Sequence, residues 1–144
     1  MNRAVAEARS WIGTPYVHQA SVKDAGCDCL GLIRGVWRAL YGAEPETVPP
    51  YSPDWDEPQG NESLQAAAER LFRPCEYEIM LPGQILLFRL REGFVAKHLG
   101  IVTVAGDAPQ FVHAYQRHGV VESPLSRPWA RRIVGRYAFY ERLT

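Results

Sequence analysis

The residues best suited to chemistry are Cys27, Asp28 and Cys29, which lie where a glycine-containing loop is predicted to become an amphipathic helix. Aspartate is a preferred N-cap residue, so Asp28 would place Cys29 in the first helical turn. A thiol there lies near unpaired backbone amides and the positive end of the helix dipole, and both favour the thiolate. The spacing therefore predicts a nucleophilic cysteine at position 29.

A cysteine nucleophile needs a histidine as base and a third group that orients the histidine. Of the four histidines, His98 begins one predicted strand and His113 lies on the next. An even-length turn would place both side chains on one face of a sheet, within direct or diagonal cross-strand reach. A helix-start cysteine docked against that face would complete a triad of Cys29, His98 and His113. A slip of one residue in the register would separate the two histidines.

Tyr16 is a candidate for a different task in the same site. It follows Gly-Thr-Pro at positions 13–15, and its hydroxyl could point into the cleft that contains Cys29. A phenol there could donate a hydrogen bond to a developing oxyanion beside the Cys29 amide, each such donor being worth roughly 3 kcal/mol. The alternative is an ordinary half-buried tyrosine, and the sequence alone does not separate the two.

Each of these residues also has an ordinary structural interpretation. A lone cysteine in a helix is usually a packing residue, and a histidine on a strand is more often structural than catalytic. Zinc is a second alternative, because Cys27, Cys29, His98 and His113 offer four donors that zinc accepts. The Cys-x-Cys spacing is poor for zinc and the sequence has no second cysteine pair. No metal and no cofactor is therefore predicted.

The hydrophobic pattern has a helical period in the first half of the chain and a strand period of two in the second half, and these periods define the elements that must position the candidate residues. The predicted helices are one that ends at residues 13–15, one from Asp28 to Gly42, and one from Asn61 to Pro74. The predicted strands are residues 84–90, 97–104, 110–115, 120–123 and 133–140, which complete an antiparallel meander. Helices followed by strands indicate an α+β fold in which the helix that carries the cysteine packs on a central antiparallel sheet.

Length and composition limit the class of protein. A chain of 144 residues suits one domain, so we predict a single domain over residues 1–144. Lys plus Arg and Asp plus Glu both number 16. This balance argues against nucleic acid as a partner, because nucleic-acid binders normally carry a basic excess. Three cysteines are an odd number and too few for a disulfide framework.

The N-terminal residues 1–10 carry scattered charges and no continuous apolar core. No signal peptide is therefore predicted, and no later window approaches the length of a membrane span. We expect synthesis in the cytoplasm without an export signal.

Residues 44–75 differ in character from the rest of the chain. Residues 44–60 contain five prolines among acidic and aromatic residues, which excludes a regular element there. Tyr51 and Trp55 are expected to be exposed and to suit an interface or a cleft wall. We predict that this segment carries specificity for a partner or a substrate.

The candidate residues lie in segments that resemble the motifs of the NlpC/P60 cell-wall peptidases. Residues 26–31 (Gly-Cys-Asp-Cys-Leu-Gly) are similar to that family's Asp-Cys-Ser-Gly nucleophile motif. Residues 97–102 (Lys-His-Leu-Gly-Ile-Val) resemble its His-Val-Gly-Ile-Tyr segment, and residues 111–114 (Phe-Val-His-Ala) resemble its second histidine motif. The three segments occur in the family's order.

Two further segments extend the resemblance over most of the chain. Residues 81–88 are similar to the family's Pro-Gly-Asp strand before the first histidine, and residues 12–16 match the segment that carries its active-site tyrosine. Leu30 replaces the usual serine after the nucleophile, and Gln84 replaces the usual aspartate. Neither replacement removes a member of the triad.

The resemblance implies a papain-like α+β fold and hydrolysis of peptidoglycan stem peptides, at the bond between γ-D-glutamate and a diamino acid. It implies that Cys29 is the nucleophile, that His98 is the base and later the acid, and that His113 orients His98. Tyr16 and the Cys29 amide would bind the oxyanion. Asp28 would either position the loop or help to recognise the free amine of the stem.

The Cys-Asp-Cys-Leu-Gly-Leu form and the insertion at residues 44–75 resemble the branch of the family that is encoded with phage tails and gene transfer agents. This implies a peptidase in a phage-like particle, with tail or baseplate hub proteins as partners, that opens the cell wall locally for DNA delivery. Two alternatives stay open: a structural tail-tip module without turnover, and an acyl- or amide-transfer enzyme on the same scaffold. Cys27 is expected to be a packing residue.

Overall fold

The computed structural model describes residues 2–46, 48 and 62–140. The helices in these residues are α1 (Arg3–Ser10), α2 (Cys29–Tyr41), α3 (Ser63–Leu71) and α4 (Arg127–Ala130). The strands are β1 (Ser21–Val22), β2 (Gly26–Cys27), β3 (Arg73–Pro74), β4 (Ile85–Phe88), β5 (His98–Val104), β6 (Gln110–Tyr115), β7 (Gly119–Pro124) and β8 (Ile133–Ala138). In this part of the chain, no helix has the length and apolarity needed to cross a membrane.

One antiparallel sheet forms the centre of the described structure. Its strand order is β3-β8-β4-β5-β6-β7, whereas β1 and β2 form a separate small hairpin. Helices α1 to α3 precede every strand of the large sheet, so the predicted α+β class with a central antiparallel sheet is confirmed. The predicted meander is correct from β4 to β7 and wrong for β8, which returns to pair with β4.

The segment between β7 and β8 explains this departure from a meander. Leu125 and Trp129, the latter on α4, pack against Phe88 and Phe111 on one face of the sheet. Burial of these apolar side chains carries the chain across β6 and β5 to the far side of β4. Isolated apolar residues in a loop have no period, so the sequence pattern did not indicate the crossing.

Helices α1 and α2 cover the opposite face of the sheet. Leu32 and Val36 of α2 belong to one apolar core with residues of β4, β5 and β6. Gly35 allows the Trp11 ring to lie directly on the helix, because a Cβ at this position would come within 2.0 Å of that ring. The helix ends, as predicted, at Gly42, whose φ of 92° suits glycine. The start of α2 is thereby held at the end of the sheet where β5 begins.

The described part of residues 44–75 packs on this same core. Leu64 and Ala68 of α3, and Phe72 directly after it, are buried in the cluster that includes α2 and the sheet. Tyr51 and Trp55 lie outside the described residues, so their predicted contribution to specificity stays a prediction.

Glu62 links the start of α3 to the loop between β4 and β5. Its carboxylate accepts a 2.9 Å hydrogen bond from the Ala96 amide and a 2.7 Å hydrogen bond from the Arg89 guanidinium. Asn61, where this helix was predicted to begin, lies outside the described residues. Through Glu62, the insertion supports a loop that forms one wall of the cleft described below.

Candidate active site

Asp28 caps helix α2 and fixes the loop in front of it. Its Oδ1 accepts a 2.7 Å hydrogen bond from the Gly31 amide, and its Oδ2 accepts one of 2.7 Å from the Gln19 amide. His18 Nδ1 lies 3.9 Å from the same Oδ2, and Asp28 is only 2% exposed. The predicted N-cap is confirmed. Because both oxygens already bind groups of the chain, the geometry favours the positioning role over contact with a substrate amine.

The Cys29 sulfur lies against the strand that carries His98. Its Sγ is 3.5 Å from the carbonyl oxygen of Lys97, and it takes backbone hydrogen bonds from Leu99 and Leu30. Residues 97 and 99 flank His98 in the sequence. The thiol therefore lies beside the backbone of His98 at the start of β5, and Cys29 and His98 both line one cleft.

The thiol form of Cys29 is the resting form. Burial raises its pKa to about 12, and the negative charge of Asp28 acts in the same direction, against the backbone hydrogen bonds of Leu99 and Leu30. The helix start acts in the predicted direction, through the Leu30 amide, but burial opposes it. A helix terminus contributes about 0.3–1 kcal/mol, which is less than the roughly 1.4 kcal/mol of one pKa unit, so desolvation outweighs it.

The two predicted histidines meet across β5 and β6. His98 Nε2 lies 2.8 Å from His113 Nδ1, and the ring centroids are 5.1 Å apart. Ile101 pairs with Val112, and extending this register makes the two histidines diagonal neighbours on one face. The predicted shared face is confirmed, but it is the face that Trp129 covers and not the face on which α2 packs, so the prediction that the cysteine helix docks against the histidine face is wrong. Cys29 lies instead beside the backbone of residues 97–99 at the start of β5. The irregularity of this strand pair lies between Val102 and Val104, away from the histidines.

Both histidines are neutral in the resting site. Burial lowers the pKa of His98 to about 3, with His113 adding to the effect. Burial also lowers the pKa of His113 to about 4, helped by His118. A neutral His98 has one unprotonated ring nitrogen, which is what a general base requires.

Aromatic rings enclose the histidine pair. Trp129 stacks on His98 at 5.5 Å with an interplanar angle of 29°, and Tyr115 stacks on His113 at 5.4 Å with an angle of 27°. His118 also stacks on Tyr115, at 5.3 Å with an interplanar angle of 8°. These rings exclude water from the pair and restrict its rotation, which is consistent with the lowered pKa values.

Tyr16 is held beside Cys29 by backbone hydrogen bonds on both sides. The Cys27 amide donates to the Pro15 carbonyl, and the Val17 amide donates to the Cys27 carbonyl, both at 3.0 Å. Tyr16 and Cys29 line the same cleft. Burial and nearby negative charges raise the pKa of Tyr16 to about 12, so its hydroxyl stays protonated and able to donate.

The cleft that contains these side chains has a volume of about 380 Å³. Its remaining walls come from the loop after β4 and from the end of β6, and include Arg91, Phe94, Lys97 and Gln116. The described lining residues include two cations and no carboxylate. The cleft therefore favours a ligand that carries negative charge.

Cys27 does not share the position of Cys29. It is fully buried in the apolar core, so its predicted packing role is confirmed. Among the described residues, no three His, Cys, Asp or Glu side chains are placed to hold a metal ion. The ring nitrogens of His98 and His113 that face each other are engaged in their mutual hydrogen bond.

Sequence reasoning missed two residues of this site, Ser123 and Trp129. Ser123 Oγ lies 3.0 Å from His113 Nε2. The three-residue turn that pairs Tyr115 with Gly119 also places Ser123 diagonal to His113, so the hairpin register could have indicated it. Trp129 reaches His98 from a four-residue helix across the sheet, and no local pattern signals that contact.

This fold is that of NlpC/P60 domains. The NlpC/p60 domain of peptidoglycan hydrolase SagA superposes with a TM-score of 0.63 and 23% identity, covering 96% of this chain and 100% of that domain. An NLP/P60 family protein from Staphylococcus aureus subsp. aureus Mu50, described as similar to lipoprotein, gives a TM-score of 0.64 at 20% identity, over 99% of this chain and 43% of its own. An NlpC/P60 family protein from Bacillus cereus ATCC 10987 gives a TM-score of 0.65 at 18% identity, and the match covers 95% of this chain and 39% of that protein. The chain therefore has the NlpC/P60 fold.

A relative detectable by sequence is the Gamma-DL-glutamyl hydrolase of Bacillus subtilis (strain 168). It is 28% identical over 132 residues, which are 91% of this chain and 27% of that protein. The chain thus spans about a quarter of the length of this curated relative. No family model matches the sequence.

Proposed function

We propose that this chain is an NlpC/P60-family cysteine peptidase that hydrolyses peptidoglycan stem peptides. The observation that carries the proposal is the Cys29 sulfur against the backbone on both sides of His98, whose ring bonds to His113, in a cleft shared with Tyr16. A nucleophile, a base, an orienting group and an oxyanion donor are the set that acyl transfer requires. The test is release of stem peptides from purified sacculi by the wild type and by Cys29→Ala.

In the proposed reaction, thiol and imidazole both start neutral. As Cys29 Sγ attacks the scissile carbonyl, His98 Nδ1 takes the thiol proton, and its Nε2 keeps its bond to His113. The Tyr16 hydroxyl and the Cys29 amide, one of the first amides of α2, donate to the oxyanion. The imidazolium gives its proton to the leaving amine, and a thioester forms. Water, deprotonated by His98, then hydrolyses the thioester and restores the thiol.

Alkylation of Cys29 by iodoacetamide is expected to accelerate about tenfold per pH unit between about pH 6.5 and pH 10, because only the thiolate reacts. The thiol pKa of about 12 keeps the whole range below the midpoint. The Cys29→Ser variant gives the background from the buried Cys27 and Cys75. A rate that is constant from about pH 5 to pH 8 would indicate a thiolate–imidazolium pair and contradict the neutral pair.

The lower limit of about pH 6.5 for the alkylation experiment is set by the effect of the buried histidines on the stability of the fold. Unfolded histidine titrates near pKa 6.5, whereas burial lowers the pKa of His98 and His113 to about 3 and about 4. The unfolded chain therefore binds protons first as pH falls. The stability contributed by the neutral rings is present above about pH 6.5 and is lost as pH falls toward 3.

The charge of the cleft supports a substrate with a free carboxylate, such as a γ-D-glutamyl stem peptide cut before its diamino acid. Arg91 and Lys97 line the cleft, and the relative named above is a γ-glutamyl hydrolase. A carboxylate near the exposed Arg91 and the partly exposed Lys97 gains a modest, salt-sensitive attraction. We propose that this attraction selects the γ-glutamyl bond.

Arg91→Gln is expected to raise KM about two- to fivefold for a γ-glutamyl peptide with a free α-carboxylate, with little change in kcat. For the same peptide with an amidated α-carboxylate, Arg91→Gln should leave KM unchanged, because that peptide has no negative charge for Arg91 to pair with. Arg131→Gln, an exposed arginine outside the described cleft lining, is the matched control. Equal losses on both peptides would exclude the carboxylate contact.

The setting that we propose is a phage-like tail or a gene transfer agent particle. Its support is the Cys-Asp-Cys-Leu-Gly-Leu form of the nucleophile segment and the insertion at residues 44–75, whose Glu62 binds the loop of the cleft wall. Particles assembled with Cys29→Ala should form normally but open the host wall poorly. Normal entry by such particles would favour a structural tail-tip module instead.

A further inference from the structure

Ser123 ends a line of three polar side chains that begins at the candidate base. His98 Nε2 lies 2.8 Å from His113 Nδ1, and His113 Nε2 lies 3.0 Å from Ser123 Oγ. His113 is 1% exposed, whereas Ser123 on β7 is partly exposed. Both ring nitrogens of His113 are therefore engaged, one by each neighbour.

The protonation of these nitrogens is linked along the line. A neutral imidazole carries one proton, so one nitrogen donates and the other accepts. If His113 Nε2 donates to Ser123, then His113 Nδ1 accepts from His98 Nε2, and His98 Nδ1 is left with its lone pair. If Ser123 donates instead, every role reverses, and His98 Nδ1 carries a proton and cannot act as a base.

We propose that Ser123 is a positioning residue, whose hydroxyl accepts from His113 Nε2 and thereby selects the tautomer in which His98 Nδ1 is an unprotonated base. This inference rests on the proposed role of His98. A serine hydroxyl rotates, and its partial exposure lets it give its own proton to solvent while its oxygen accepts. Without that oxygen, a buried N–H of His113 would lack a partner, which disfavours the productive tautomer.

The hydrogen bonds of the two rings restrict the alternatives to this arrangement. A flip of either histidine ring would put a carbon atom in place of a hydrogen-bonded nitrogen and break the 2.8 Å contact between His98 Nε2 and His113 Nδ1. The tautomer can therefore change only by a shift of protons along the line. Among the described residues, the Ser123 hydroxyl is the group that meets His113 at the end of this line away from His98.

The test is NMR of protein labelled with 15N-histidine, because a protonated and an unprotonated ring nitrogen have well-separated shifts. His113 should be protonated at Nε2 and His98 at Nε2, with signals assigned through His98→Gln and His113→Gln. Ser123→Ala should mix the tautomers and lower kcat about three- to fifteenfold with KM unchanged, the equivalent of one neutral hydrogen bond. Ser123→Thr, which keeps the hydroxyl on a strand, should restore both.

Ser126→Ala is the control, because Ser126 is an exposed serine nearby that makes no side-chain cap hydrogen bond. A wild-type spectrum with His113 protonated at Nδ1 would overturn the inference, as would a Ser123→Ala variant with unchanged tautomer and kcat. The wild-type spectrum decides the tautomer even if a variant fails to fold or the protein proves to hydrolyse nothing. If the proposed function is wrong, the wild type will release no stem peptides, and this result is distinct from the NMR result.

Discussion

Replacing Cys29 by alanine is expected to lower stem-peptide release from sacculi by a factor of at least about 10³–10⁴, to the limit of detection. Loss of a nucleophile removes the covalent route altogether, and what binding and the oxyanion donors supply alone is small by comparison. Cys29 is only partly buried, so the truncation leaves a small gap that opens to the cleft. The variant should therefore stay folded with a thermal midpoint close to that of the wild type.

Cys75→Ala is the matched control for this result. Cys75 is buried at 2% exposure, and its sulfur is not part of the described cleft lining. It should lose stability but keep kcat within about a few-fold of the wild type. Stem-peptide release by Cys29→Ala at the wild-type rate would remove the catalytic assignment, and release lost equally in both variants would point to misfolding.

Replacing His98 by glutamine is expected to lower kcat about 10²–10⁴-fold, the usual contribution of a general base. Because the resting thiol is protonated, no preformed thiolate compensates for the missing base. The loss should shrink as pH rises, since more Cys29 becomes thiolate without help. KM should change little, because His98 contributes one edge of the cleft among many lining residues.

His118→Gln is the control that shows whether the loss of kcat is specific to His98 or follows from replacing any histidine near the site. His118 is exposed and stacks on Tyr115, one ring further from the thiol than His113. Its replacement should leave kcat within about twofold of the wild type. A His98→Gln variant that kept wild-type activity at neutral pH would contradict the role of His98 as base, whatever the state of the fold.

The resting neutrality of the site changes what a chemical probe can reveal. A thiol with a pKa of about 12 reacts slowly with iodoacetamide at neutral pH even when it is catalytic. Slow alkylation is therefore no evidence for a structural tail-tip module. Turnover on sacculi separates the two hypotheses, and product analysis, free carboxylate against transferred acyl group, separates a hydrolase from a transferase.

Much of the fold could be predicted because its signals are local. The helix from Cys29 to Tyr41 is bounded by an N-cap aspartate and a C-cap glycine, and both were identified from residue type alone. The strands that carry His98 and His113 follow from a period of two between turn residues. Strand β8 was misplaced because its pairing depends on Trp129 covering the sheet, a contact between distant residues.

By itself, the sequence determined where Cys29 sits on its helix and that His98 and His113 share a face, because capping and strand alternation depend on near neighbours. Only the tertiary structure decided how far the site is desolvated and which contacts Ser123 and Trp129 make. Desolvation depends on every group that surrounds a side chain, from any position in the chain. The same helix start that favours a thiolate in isolation therefore holds a neutral thiol once the sheet, the aromatic rings and the cleft walls close around it.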